Sequence, residues 1–120
     1  MIEIDVGGGE YKRAADLPSQ MSVNNVDDDY PITDADGYDV IFVSTGAIDR
    51  TILLPTATDN VGRKVVVMKV DAYAGKVTVD GEDTEKIVVS GTEYLDVDLV
   101  DKGDEITVIC DGIQWWKINS

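Results

Sequence analysis

Strict alternation of apolar and polar side chains governs what this chain can become. In Tyr94-Leu95-Asp96-Val97-Asp98-Leu99 the leucines and the valine fall on one side of an extended backbone and the aspartates on the other. Lys76-Val77-Thr78-Val79-Asp80 repeats the pattern, and Val66, Met68 and Val70 share one face of residues 63–70 with Lys69 on the other. Period two is a strand period. Branched and aromatic residues mark further strands at Val40 to Ser44, Thr51 to Leu54, Lys86 to Val89, Glu105 to Cys110 and Trp115 to Ile118. No segment carries a sustained 3.6-residue period with helix caps at both ends.

Turn chemistry separates these strands: Asp34 to Gly37, Thr45-Gly46, Asp59 to Gly62, Asp80-Gly81, Ser90-Gly91, Asp101 to Gly103 and Asp111-Gly112. Short strands so spaced predict an all-β fold, a compact antiparallel β-sandwich or barrel-like domain. Pro55 lacks an amide hydrogen, so the strand Thr51 to Leu54 ends there or lies on an edge. Val40, Ile41, Phe42 and Val43 are apolar on both faces of their strand, which predicts cover from the domain's own core on one side and a sister subunit on the other.

The first 30 residues differ. Ile2, Ile4 and Val6 alternate as one short strand, Gly7-Gly8-Gly9 forms a hinge, and Glu10 to Tyr30 is polar without a firm period. Residues 1–30 therefore read as an extended N-terminal arm that orders against a neighbouring subunit or partner, ahead of a β-rich module over residues 31–120. Ile2, Ile4, Val6, Tyr11 and Leu17 are its candidate attachment residues.

Charge and residue absences narrow the function. Ten Lys and Arg stand against 24 Asp and Glu, a formal charge of -14, so nucleic acid and anionic bilayers are excluded as partners by repulsion. No stretch approaches the roughly 18 apolar residues needed to cross a bilayer. The N-terminus has no basic start followed by an apolar run, which predicts folding in the cytoplasm of the producing cell rather than secretion. The chain contains no histidine, removing the usual general base, the common nucleophile pairs and the commonest zinc ligand. A lone cysteine, Cys110, inside an apolar run reads as a buried thiol. No catalytic residue, metal ligand or cofactor site is assigned, and the chain reads as a non-enzyme.

Two features resemble sites and fail on spacing. Asp34-Ala35-Asp36-Gly37 begins like a calcium loop, but Tyr38, Asp39 and Thr45 occupy positions where an EF-hand needs an oxygen ligand, a glycine and a glutamate. Gly7-Gly8-Gly9 has no following Lys-Ser/Thr at P-loop spacing. Asp27-Asp28-Asp29 and Gly81 to Glu85 are acidic clusters that read as solvated charge. Trp115 and Trp116 are adjacent, so one fills the core and the other meets solvent or a neighbour.

The order of features has a known parallel. Asp36-Gly37-Tyr38-Asp39-Val40-Ile41-Phe42-Val43 is followed by Arg50-Thr51-Ile52-Leu53-Leu54-Pro55, Gly62-Arg63 to Asp71, Val77-Thr78-Val79-Asp80-Gly81, and Val108 to Gly112 with Trp115 and Trp116. Over about residues 31–119 this resembles a β-rich module of tailed-bacteriophage structural proteins, found in tail fibres and head-associated appendages and commonly trimeric. The resemblance implies a homotrimer, and the two-faced strand Val40, Ile41, Phe42, Val43 with the pair Trp115 and Trp116 supplies its candidate subunit-interface residues. It implies a virion protein, most simply a capsid decoration (cement) protein on the head surface, with the major capsid protein as partner. Such modules often end much longer fibres, whereas here only the first 30 residues precede the module. The alternative is a short tail-fibre or head-fibre appendage that meets tail components and binds a host receptor or glycan.

Overall fold

The computed structural model describes residues 22–118. Its regular elements are strands, with one short 3₁₀ turn at Ala57–Asp59 and no α-helix among the described residues. In chain order they are β1 (Val23–Val26), β2 (Tyr30–Pro31), β3 (Val40–Val43), β4 (Arg50–Leu53), β5 (Lys64–Lys69) and β6 (Val77–Asp80). The remainder are β7 (Ile87–Val89), β8 (Thr92–Tyr94), β9 (Asp96–Leu99), β10 (Glu105–Cys110) and β11 (Trp115–Lys117).

These strands form a seven-stranded sheet, ordered β1-β3-β5-β10-β11-β7-β8, and a four-stranded sheet, ordered β9-β6-β4-β2. The chain visits the sheets alternately. β1, β3 and β5 stack in parallel on one side, while β2, β4 and β6 stack in parallel on the other. Each parallel crossover thus runs through the opposite sheet instead of through a helix, giving three rungs of a solenoid-like coil. The winding then reverses. β9 adds antiparallel to β6, and β10 adds antiparallel to β5.

The expected antiparallel sandwich or barrel is therefore corrected to a mixed, solenoid-like arrangement whose antiparallel strands lie in the C-terminal half. Alternation within each strand is the same in either architecture, which is why it did not separate them. In-register residues also recur without a fixed interval, since Val40 pairs with both Val23 and Val66. β4 ends before Pro55 and lies inside its sheet, between β2 and β6, so the proline stops the strand without marking an edge. Val23–Val26, within the polar stretch that shows no firm period, pairs with β3.

The core fills the space between the sheets. Ile41, Val43, Val65, Val67, Ile106, Val108, Cys110 and Trp115 enter from the larger sheet, and Ile52, Val77, Val79 and Leu99 from the smaller. Cys110 is buried and its Sγ lies 3.2 Å from the carbonyl of Ala57, with burial pushing the thiol pKa up.

Aspartate and amide groups at the corners tie successive rungs together. Where the chain leaves the larger sheet, the Thr51 N–H donates to Asp29 at 2.8 Å and the Lys76 N–H donates to Asp49 at 2.9 Å. At the opposite corner Arg63 donates to the carbonyls of Thr33 and Asp36, Asn60 donates to Asp34, and the Ala57 N–H donates to Glu85. The acidic clusters near residues 27–29 and 81–85 thus include carboxylates that satisfy backbone donors of the neighbouring rung. Gly75 packs on the Ile48 backbone so closely that a Cβ would collide with it. Gly75→Ala is expected to lower the urea midpoint, costing about 1–3 kcal/mol as an overpacking change.

Candidate interaction surface

Strand alternation assigns every residue of the larger sheet to one of two faces. Because Ile41 and Val43 are fully buried between the sheets, Val40 and Phe42 point outward, and cross-strand register carries that assignment across the sheet. One outer row runs Val23, Val40, Val66, Thr107 and then Ile118, whose N–H donates to the Thr107 carbonyl. A second contains Asn25, Phe42, Met68 and Glu105, and a third Lys64, Ile109, Trp116, Val88 and Glu93.

The outer face is consequently almost as apolar as the core face. Val23 is 45% exposed, Trp116 40% and Ile118 51%, while Phe42, Val66, Met68 and Ile109 are half-buried. Val40 and Val88 are buried on the same face. Its charged members Glu105, Lys64 and Glu93 belong to different strands, leaving an aliphatic and aromatic middle. The outer face of the smaller sheet is more polar: Thr51, Thr78, Asp80, Asp96 and Asp98 stand there, with Leu53 and Pro31. The apolar outer face of the larger sheet is therefore the candidate interaction surface.

The residues singled out from the sequence divide between the two faces. Val40, Phe42 and Trp116 belong to the outer surface; Ile41, Val43 and Trp115 belong to the core, Trp115 with no exposure. The tryptophan pair separates by alternation, one ring inside and one outside. Trp116 is fixed by its indole N–H, which donates to Asp111 at 2.8 Å. Asp111 also accepts from the Ile113 and Gln114 N–H groups, and these bonds hold its carboxyl below the ordinary range. The attachment residues Ile2, Ile4, Val6, Tyr11 and Leu17 lie outside the described residues.

Sequence reasoning missed Val66 and Met68 as surface residues and Lys69 as an interior one. The structure turns Val65 and Val67 inward with Lys69, and places Val66 and Met68 outside. Lys69 has no exposed surface, and its Nζ donates to Asp71 Oδ1 at 2.7 Å, the Asp71 carbonyl at 2.7 Å and the Tyr73 carbonyl at 2.9 Å. Asp71 also accepts from the Thr45 hydroxyl and the Gly46 N–H. The Lys69 hydrogen bond, with those from Gly46 and Thr45, drives the Asp71 pKa far below the ordinary carboxylate value. This pair, buried at its lysine end and reaching the surface at Asp71, joins two stacked corners.

A groove of about 360 Å3 lies above it, lined by Asp27, Ser44, Thr45, Gly46, Arg50, Asp71 and Tyr73. Among the described residues no group of three or more His, Cys, Asp or Glu side chains has a metal-binding arrangement. Asp36, from the stretch that began like a calcium loop, instead accepts from the Thr33 N–H and the Tyr30 hydroxyl, closing a turn. No protein-family model and no curated protein sequence matches the chain.

Proposed function

We propose that this chain is a non-enzymatic virion structural protein, a homotrimer joined through the outer face of the larger sheet and bound to a phage head shell as a decoration protein. The observation that carries the assembly part is the apolar middle of that face, formed by Val23, Phe42, Val66, Met68, Ile109, Trp116 and Ile118. Burying such a face removes apolar area from water at about 25 cal/mol per Å2. A closed ring of identical subunits buries it on every copy. The number three and the phage setting come from the resemblance of residues 31–119 to trimeric phage modules.

The charge suits the head surface. A chain at -14 repels its neighbours in a dense array and favours basic patches on a shell. The fibre reading is supported by Tyr73 and Tyr94, exposed aromatic residues that a receptor or glycan could stack on. Mixing the protein with undecorated shells and sedimenting them separates head from tail: a decoration protein co-sediments until it saturates the whole shell, and a tail-fibre component does not. Removal of residues 1–21 is expected to abolish co-sedimentation while leaving the far-ultraviolet β-signal intact. Equal decoration by the shortened chain contradicts an attachment role for the arm.

A further inference from the structure

Where the two sheets part, the edge strands β8 and β9 leave a groove of about 310 Å3 lined by Val89, Tyr94, Asp96, Val97 and Asp98. We propose that it docks an extended, cationic segment of a partner protein, added as a further strand along β9. Apolar side chains of that segment enter the groove, and its alternate Lys or Arg side chains lie over Asp80, Asp96 and Asp98.

Three observations lead there. Among the described residues β9 is an edge strand whose one neighbour is β6. The Gly81 N–H donates to the Leu95 carbonyl, so by antiparallel alternation Leu95, Val97 and Leu99 bond β6. The backbone groups of Asp96 and Asp98 consequently face the open edge, where an added strand can pair with them. Next, the groove has an apolar floor: Val89 and Val97 are partly buried against the core, with the Tyr94 ring beside them. Finally, the charge on this edge is unbalanced. Asp96 stands directly opposite Asp80, a like-charge pair that destabilises a sheet. Burial and the Asp96 charge both push the Asp80 carboxyl up. Asp98 is partly compensated by Lys76 at 3.1 Å and the Thr78 hydroxyl at 2.8 Å.

These features specify the partner's pattern. Neighbours of Val97 on an added strand face the groove and are apolar, whereas neighbours of Asp96 and Asp98 face the acidic side and are cationic. A segment alternating Lys or Arg with Val, Ile or Leu satisfies both faces. The net charge of -14 favours its approach. The groove shares no residue with the outer face of the larger sheet, so this docking stands or falls separately from the oligomer.

The test uses the full chain and three short synthetic peptides: alternating Lys-Val, the same residues arranged in blocks, and alternating Glu-Val. Backbone amide spectra are expected to show shifts confined to Val89 and residues 94–99 with the alternating Lys-Val peptide, and slowed amide exchange at Asp96 and Asp98. That peptide should bind about tenfold or more tightly than the block peptide. The double substitution Asp96→Asn and Asp98→Asn should remove that preference without changing the fold. Equal affinity for both lysine peptides, shifts scattered over the whole acidic surface, or no binding at millimolar peptide overturns the proposal. The edge aspartates would then serve only to keep β9 from pairing.

Discussion

Asp71→Ala is expected to remove about 3–5 kcal/mol of stability, a large part of the roughly 5–15 kcal/mol that holds an ordinary small domain folded. The reason lies in Lys69, whose ammonium is fully buried on the core side of β5 and pairs with the Asp71 carboxylate at 2.7 Å. Without that carboxylate a charge remains inside with only the Asp71 and Tyr73 carbonyls and the Thr45 hydroxyl around it. Lys69→Met removes the charge, keeps the bulk, and leaves Asp71 with Thr45 and Gly46. It is expected to cost far less, about 1 kcal/mol. The pH dependence has a definite sign. The folded Asp71 pKa lies below its unfolded value, so its stabilisation is complete above about pH 4 and declines as pH falls below that. Urea midpoints of the native chain and Asp71→Ala should therefore differ most near neutrality and converge as acid is added.

Phe42→Asp is expected to turn the oligomer into a folded monomer. Phe42 lies in the outer row with Met68, one row from Val40 and Val66, and no described strand of the same chain covers it. A carboxylate there leaves the intersheet core untouched but places charge against the apolar side chains of the proposed interface, typically a loss of about 2 kcal/mol for a buried aromatic, about 30-fold in association. Trp116→Asp, on a ring that is 40% exposed in the single chain, should have the same effect with less disturbance of the monomer. Ile41→Asp is the contrasting variant. Its side chain faces the core with no exposure, so it should unfold the chain outright. Mass in solution and the thermal transition together separate the outcomes: the outer variants lose mass and keep a cooperative transition, and the inner one loses the transition.

Much of the fold was legible in residues whose environment follows from local alternation. Val77 and Val79 point inward and Thr78 outward, Leu99 is buried, and Trp115 and Trp116 part to opposite faces. Alternation failed where tertiary context reversed polarity. Lys69 reads as a surface residue, yet Asp71, Tyr73 and Thr45 satisfy its ammonium at the corner and allow it inside. That reversal moves Val66 and Met68 to the outer face. Tyr94 to Leu99 reads as one strand, but the chain turns from the larger sheet to the smaller between Tyr94 and Asp96, leaving Leu95 exposed. The solenoid winding was not legible because its rungs have corners of unequal length and carry no repeated sequence. The apolar quality of Val40 to Val43 on both faces was readable, while the extent of the outer face depended on cross-strand register, which no local pattern encodes.

The mass of the native chain in solution, by sedimentation equilibrium at micromolar concentration, tests assembly through the outer face most directly. A homotrimer appears there as a single species of three times the 13.0 kDa chain mass, shifted to the chain mass by Trp116→Asp. A native protein that stays at 13.0 kDa across the micromolar range contradicts it, because the outer face of the larger sheet would then remain in water.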